Sequence, residues 1–303
     1  MQWVKKGLIF NPKNRFNWMV SHAQLPVADR IGEDIYRVYF ATRDEQNISQ
    51  IGYIEINMNS KEILYITGEP VLKPGPIGYF DEHGVYPSSI INYDGKKYLY
   101  YIGWNRGTPP PLFYASVGLA ISEDNGKTFT KFTKAPILSR SEYDPCLVTS
   151  PFVMIENEIL RMWYTSGIKW EIIDGVLQSY YHIKYAESKD GINWERKGII
   201  CIDFKTRNET NIARPCILKE NGIYKMWYCY NEGLGYRIGY AISKDGINWI
   251  RKDEEAGINV SDSGWDSKSI AYPFVFKHND KKYMLYNGNN FGREGFGLAV
   301  EGE

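Results

Sequence analysis

Cysteine is scarce in this chain. There are four in 303 residues, Cys146, Cys201, Cys216 and Cys229, and no two stand in a CxxC spacing. The absence of that spacing argues against a zinc site, and four scattered thiols in a chain this long do not make a disulfide framework. An excess of either charge is also missing: Lys and Arg total 36, Asp and Glu total 36, and the formal net charge is +0. No basic excess advertises nucleic acid or an anionic membrane surface as a partner. No apolar run approaches the roughly 20 residues of a membrane-spanning helix, and the opening MQWVKKGLIFNPKN has no long apolar core of a signal peptide. A long amphipathic helix is lacking too. The expectation is a soluble, cytoplasmic, all-β chain with reduced cysteines.

What the chain has in plenty is aromatic residues, with 24 Tyr and 9 Trp. Many fall in short runs: IYRVYF, KKYLYYIGW, LRMWYTS, YKMWYCY and KKYMLYNG. Each run is rich in β-forming residues and apolar on both faces, which suits a strand covered on both sides. Turn signals such as YDGK, KENG and KHND precede several of them.

Upstream of each run stands a proline that opens a further apolar stretch: Pro26, Pro87, Pro151, Pro215 and Pro273, at intervals of 61, 64, 64 and 58 residues. The segments before Pro26 and after Pro273 together supply about one more interval, as they would if the chain closed into a ring. Each unit reads as a proline-led strand, an aromatic strand, a variable loop, a third strand such as HIKYAESK or RIGYAISK, a turn and a final strand. That is a four-stranded antiparallel blade. Five such units predict a single domain over residues 1–303, a five-bladed β-propeller, an architecture that leaves only short, protected edges.

The two ends bear on this expectation. The fifth unit stops at GLAVEGE, one strand short, while the chain opens with QWVKKG, which matches NWERKG at 193–198. Trp3, Lys6 and Gly7 align with Trp194, Lys197 and Gly198. The N-terminal segment from Trp3 to Ile9 is therefore expected to supply the missing outer strand of the last blade.

The heptapeptide SKDGINW occurs twice, at 188–194 and 243–249, with SEDNGKTF at the corresponding place in the second unit. A motif repeated in register is most economically scaffolding, with Asp and Gly making the turn and the aromatic residue packing back onto the blade. SEDNGKTF also resembles the Asp-box turn of sialidases and other propellers. These turns are expected on the face opposite the starts of the proline-led strands.

The five proline-led units, the SKDGINW turns and the stretch ATRDEQNISQIGYIEI together resemble the five-bladed glycoside-active enzymes of glycoside hydrolase families 43, 32, 68 and 130. The similarity spans almost the whole chain, and the ATRDEQNISQIGYIEI stretch is similar to the first blade of family 130, the mannoside phosphorylases and mannosidases. The resemblance implies a carbohydrate-active enzyme. It supplies no catalytic residue, because the chain departs from both families at their signatures. Family 43 commonly places an Asp before such a proline, whereas Leu25, Tyr86, Ser150, Arg214 and Tyr272 stand there in this chain. Family 130 carries Glu-Asp-Pro-Arg where this chain reads Val85-Tyr86-Pro87-Ser88.

Propeller geometry directs the search to the loops before the prolines and those after the aromatic strands, which line one funnel on a rigid ring. Asp81, Asp144, Glu209 and Asp266 lie at regular offsets before their prolines and read as structural anchors. The unrepeated residues carry more information. Asp44 and Glu82 are the candidate acid and base for glycosyl transfer, with Glu232 as a further catalytic candidate, because that chemistry needs a protonated acid and a second group acting as base or nucleophile. His22 and His83 stand at one offset in neighbouring units. With Tyr86, Arg43, Arg106, Arg214 and Arg293 they are expected to bind substrate or an anion, since Arg grips carboxylate or phosphate through a bidentate fork. Trp104 and Trp170, on two long unlike loops, offer faces on which a sugar can stack.

The expected partner is an oligosaccharide or glycoside, with no cofactor and with inorganic phosphate admissible as co-substrate. Hydrolysis, phosphorolysis, a non-catalytic glycan-binding propeller and a glycosyltransferase-like role in polysaccharide assembly all stay open at this stage.

Overall fold

The protein was analysed as a computed structural model describing residues 2–302. After an N-terminal strand β1 (Trp3–Phe10), strands follow in groups. The first group is β2 (Ser21–Arg30), β3 (Ile35–Arg43), β4 (Ser49–Asn57) and β5 (Ile63–Ile66). The second is β6 (Val85–Tyr93), β7 (Lys96–Arg106), β8 (Phe113–Ser122) and β9 (Thr130–Lys131). The third is β10 (Leu147–Glu156), β11 (Ile159–Ile173), β12 (Val176–Ser188) and β13 (Glu195–Ile202). The fourth is β14 (Asn211–Glu220), β15 (Ile223–Asn231), β16 (Tyr236–Ser243) and β17 (Trp249–Arg251). The last is β18 (Ala271–His278), β19 (Lys281–Asn287) and β20 (Phe296–Glu301). The all-β expectation holds.

The first and second groups are each a four-stranded antiparallel sheet in chain order. The third and fourth are joined into one eight-stranded sheet, but the join is a single parallel pairing, Tyr181 with Asn211, between two antiparallel halves. The last sheet has the order β1-β20-β19-β18, and β1 runs antiparallel to β20 with Trp3 opposite Glu301. The proline-led strands touch their neighbours in sequence, β2 with β6, β6 with β10, β10 with β14, β14 with β18, and β18 again with β2.

The aromatic runs become the second strands, β3, β7, β11, β15 and β19, and most of their residues are buried. Sheets lie on both sides of them, which is why their apolar residues do not alternate. The SKDGINW turns explain themselves in the same packing. The Asp190 carboxylate accepts the backbone N–H groups of Ile192 and Asn193, and Asp245 accepts those of Ile247 and Asn248. The carbonyl of each turn glycine then receives a hydrogen bond from the preceding group's second strand. Tyr100 Oη donates to Gly191 O at 3.0 Å and Trp163 Nε1 to Gly246 O at 2.7 Å. Tyr39 Oη donates to Gly126 O at 2.7 Å in the SEDNGKTF turn. The closing aromatic of each turn packs on that same donor: Phe129 on Tyr39, Trp194 on Tyr100, Trp249 on Trp163. Trp3 packs edge-on against Trp227 of β15 at 6.1 Å, so the N-terminal strand places its tryptophan as those turns do.

The repeated acids are anchors, as their spacing indicates. Asp81 and Asp144 are buried and accept hydrogen bonds from Tyr101 and Tyr164 of their own second strands. Each also pairs with a base on the outermost strand, Lys131 for Asp81 and Arg196 for Asp144. Glu209 pairs with Arg251 in the same way.

Candidate functional site

Every proline-led strand carries a register shift at its proline: Gln24/Val27, Pro87/Ser89, Thr149/Phe152, Ala213/Cys216 and Ala271/Phe274. Four of the five residues just before proline are left-handed, Leu25 at φ 52, Ser150 at φ 49, Arg214 at φ 60 and Tyr272 at φ 56. None is glycine, and a left-handed L-residue costs roughly 1–2 kcal/mol. Such bulges re-aim side chains, and strain of this kind concentrates where a site is built.

Leu25, Tyr86, Ser150 and Tyr272 line one cavity of about 390 Å³. The second strands supply more of its wall: Arg43 from β3, Ile102 and Trp104 from β7, Trp170 from β11 and Asn231 from β15. Phe113, Leu177, Gln178, Ser179, Tyr181 and Tyr236 come from third strands, Gln24, Thr149, Asn211 and Ala213 from proline-led ones, and Phe291 from the turn after β19. The volume and the mixture of aromatic surface with a few polar groups are those of a small-ligand pocket.

The aromatic groups are held by one another. Phe113 and Trp170 meet edge-on at 5.5 Å, and Tyr86 lies 6.5 Å from Trp104. The Trp104 indole donates to Ser49 Oγ at 3.3 Å. Gly84, at φ +150, is required here, because a Cβ would lie 1.9 Å from Ser49 Oγ and 2.6 Å from Trp104 Nε1. Beside the aromatic groups, Ser179, the register partner of Trp170, accepts from Asn211 through its carbonyl at 2.9 Å, while the Asn211 amide oxygen accepts from Thr210 and Gln178. The Tyr181 and Tyr236 hydroxyls are hydrogen-bonded to each other, and burial pushes both phenols upward, so both stay protonated near neutral pH.

Of the twelve residues proposed from sequence, Arg43, Tyr86, Trp104 and Trp170 line the cavity. The Arg43 guanidinium donates to Gln24 Oε1 at 3.0 Å and to the Tyr86 hydroxyl at 3.4 Å. His22 is buried beside it, its Nδ1 2.9 Å from Ser21 Oγ; burial, with Arg43 and Arg293 nearby, lowers its imidazole to about 3. Arg293 is exposed, and its carbonyl accepts the His22 N–H.

Glu82, His83 and Arg106 form a group beyond Trp104. The Glu82 carboxylate accepts from Gly78 N at 2.5 Å and from Asn105 Nδ2 at 2.8 Å, and it lies 3.3 Å from His83 Nδ1. Those two donors hold it below the usual carboxylate range, the Gly78 N–H first. The His83 ring is 6.0 Å from that of Trp104, and the Arg106 guanidinium lies 5.9 Å from the indole. Asp44 accepts the N–H groups of Gln46 and Ile48 and so shapes its own loop. Glu232 is exposed, 3.4 Å from Thr206 Oγ1.

Arg214 is buried, donating to Ser88 O and Oγ at 2.8 Å and to Pro26 O at 3.4 Å. It ties three proline-led strands together. Asp44, Glu82 and Glu232 are not among the residues lining the cavity, and neither is any other Asp or Glu. Among the described residues no group of three or more His, Cys, Asp or Glu is placed to hold a metal ion.

The sequence reading missed the polar lining residues Gln24, Gln178, Ser179 and Asn211. One signal was available: Asn211 stands four residues before Pro215, the offset His22 and His83 hold before their own prolines.

No family model matches the chain. Uncharacterized protein MT1551 of Mycobacterium tuberculosis (strain CDC 1551 / Oshkosh) is 40% identical over 301 residues, covering 99% of each chain. A 1,2-beta-oligomannan phosphorylase of Thermoanaerobacter sp. (strain X514) is 24% identical over 237 residues, 76% of this chain and 74% of that one. Among solved structures, a thermostable family-43 glycoside hydrolase superposes with a TM-score of 0.68 at 18% identity, covering 95% of this chain and 91% of the other. The chain therefore belongs to one family with uncharacterized protein MT1551, built on the fold of the propeller glycoside hydrolases.

Proposed function

We propose that the protein is a carbohydrate-active enzyme that acts on a glycosidic bond, with one sugar of an oligosaccharide seated in the cavity bounded by Trp104, Trp170 and Asn211. The observation that carries this reading is the composition of that cavity: aromatic faces interleaved with amides and hydroxyls that are already oriented by one another. Aromatic faces take the apolar face of a sugar ring, and amides and hydroxyls exchange hydrogen bonds with its hydroxyl groups.

The reading includes a single five-bladed ring over residues 1–303, closed by β1. The cyclic contacts of the proline-led strands and the pairing of β1 with β20 support it. In this ring the cavity lies at the axis. Glu82 is the first candidate for the catalytic carboxylate. Its two hydrogen-bond donors favour the ionised form, which suits a base or nucleophile, and it reaches the Trp104 side of the cavity through His83. Asp44 is the candidate acid, and Glu232 is a further candidate. The likeness to an oligomannan phosphorylase supports phosphorolysis, with inorganic phosphate as co-substrate, beside hydrolysis.

A second reading has its own observation. No Asp or Glu lines the cavity, as would be expected of a propeller that binds a glycan without cleaving it. Incubation with a panel of oligosaccharides, with and without inorganic phosphate, separates the two. Sugar release, or sugar phosphate formed only with phosphate, is expected; binding without turnover selects the second reading.

A further inference from the structure

Among the described residues, Arg43 is the only Lys, Arg, His, Asp or Glu that lines the cavity. Its Nε and Nη2 meet Gln24 and Tyr86, both neutral, and its Nη1 makes no protein hydrogen bond among the described residues. Among the described residues no carboxylate lies within ion-pair distance of it. Arg214, next in the chain to the lining residue Ala213, is in the same condition more deeply. It is 1% exposed, all its side-chain acceptors are neutral, and its Nε has no partner at all. Burial lowers its guanidinium to about 10, which still leaves it charged at neutral pH.

Elsewhere in the fold, buried bases meet acids: Lys97 meets Asp29, Arg161 meets Glu156, and Arg37 meets Glu55. Half-buried Arg43 at the cavity and fully buried Arg214 beside it in the chain are the exceptions. A buried charge without a partner is costly, and its field is screened less than that of an exposed one. The lining, free of acids among the described residues, offers no carboxylate that would repel a negative charge.

We propose that this cavity recognises an anionic sugar, whose oxyanion, a carboxylate or a phosphate, lies against the Arg43 guanidinium while its hydroxyls meet the Gln178–Asn211 wall. The fork of a guanidinium grips such a group through paired, charge-assisted hydrogen bonds. The inference rests on the glycan reading above and names its substrate class.

The test is equilibrium binding read from tryptophan fluorescence, since Trp104 and Trp170 line the cavity. The probes are glucuronate, glucose 6-phosphate, glucose, inorganic phosphate, and acidic and neutral oligosaccharides. Acidic sugars should bind at least about tenfold tighter than their neutral counterparts, the scale of one charge-assisted hydrogen bond. Arg43→Gln should abolish that difference and Arg43→Lys should keep part of it. Should Arg43→Gln fail to fold, the preference in the unaltered protein must still shrink as salt rises. Inorganic phosphate binding as tightly as glucose 6-phosphate would assign the oxyanion to free phosphate; much weaker binding assigns it to the sugar.

Equal affinity for acidic and neutral sugars, or a preference that survives Arg43→Gln, overturns the proposal and leaves the glycan reading standing. Anions bound without any gain from an attached sugar would overturn both, leaving a plain anion site at Arg43. Binding of no probe would sink both.

Discussion

Lys5, in the first strand of the chain, donates to Asp266, in the loop before β18, at 2.7 Å, and Tyr286 donates to the same carboxylate at 3.0 Å. This repeats the pairing of Lys131 with Asp81 and of Arg196 with Asp144, in which the base also comes from the outermost strand. A residue far from Asp266 in sequence thus stands where a local one stands in the other groups. Asp266 is buried, so removing its base strands a carboxylate. Lys5→Met should cost about 3 kcal/mol, the scale for breaking a buried pair. Deleting residues 1–10 should lower the melting temperature by roughly 10 °C or more, read by calorimetry. A truncated protein that melts like the full chain would remove the N-terminal strand from the account of ring closure.

Asp190 and Asp245 hold their turns through backbone N–H groups, and the turns dock on the neighbouring group through Tyr100 and Trp163. Asp190→Ala or Asp245→Ala should therefore lower stability by about 1 kcal/mol, an ordinary point-mutant effect. Glycan binding per folded molecule should be unchanged. A loss of binding at an unchanged melting temperature would put the site on the wrong face.

His22 is held neutral, its imidazole lowered from 6.5 to about 3 by burial and by Arg43 and Arg293. Between those values the unfolded chain binds a proton that the folded one refuses, so stability falls as pH drops from 6.5 toward 3. His22→Asn removes the titration and tolerates the left-handed φ of 62 at this position. The difference in melting temperature between the two proteins should shift in favour of the variant as the pH is lowered through that window. Parallel pH profiles would contradict the burial of a neutral imidazole.

Glu82→Gln and Asp44→Asn keep shape and remove an ionisable acid. At least one should lower turnover by roughly 10²-fold or more, the scale of a lost acid–base group, in an assay of released sugar. Asp44→Asn should also loosen the loop whose N–H groups it accepts, so its melting temperature is measured beside its rate. Full activity in both variants would end their candidacy.

The strands were legible in the sequence because two-sided burial writes itself as unbroken apolar runs and tight turns as Asp-Gly. The anchors were legible because Asp81, Asp144 and Asp266 recur in register. The site was less so. Leu25, Ser150, Arg214 and Tyr272 read as positions lacking an acid, yet they are the left-handed bulge residues of their strands, and no glycine or asparagine announces that conformation. Asp44 reads as a free loop acid, but its hydrogen bonds are to its own loop, a local geometry that composition does not reveal. The segment GIKWEIIDGVLQSYY reads as a small insertion. It is a lengthening of β11 and β12 around an Asp174–Gly175 turn, which carries Leu177, Gln178 and Ser179 to the cavity wall. Asn211 meets Ser179 only because two separate groups of strands come together there.

The central claim is that a sugar occupies the cavity between Trp104, Trp170 and Asn211. A crystal structure with a bound oligosaccharide, chosen as the tightest binder of a fluorescence screen, tests it most directly. The account predicts sugar density packed against the Trp104 or Trp170 face, within hydrogen-bond reach of Asn211 or Gln178, and at least about tenfold weaker binding by Trp104→Ala, the scale of a lost aromatic contact. Density on the face of the Asp190 and Asp245 turns, with the cavity empty and Trp104→Ala binding as the parent does, would contradict it.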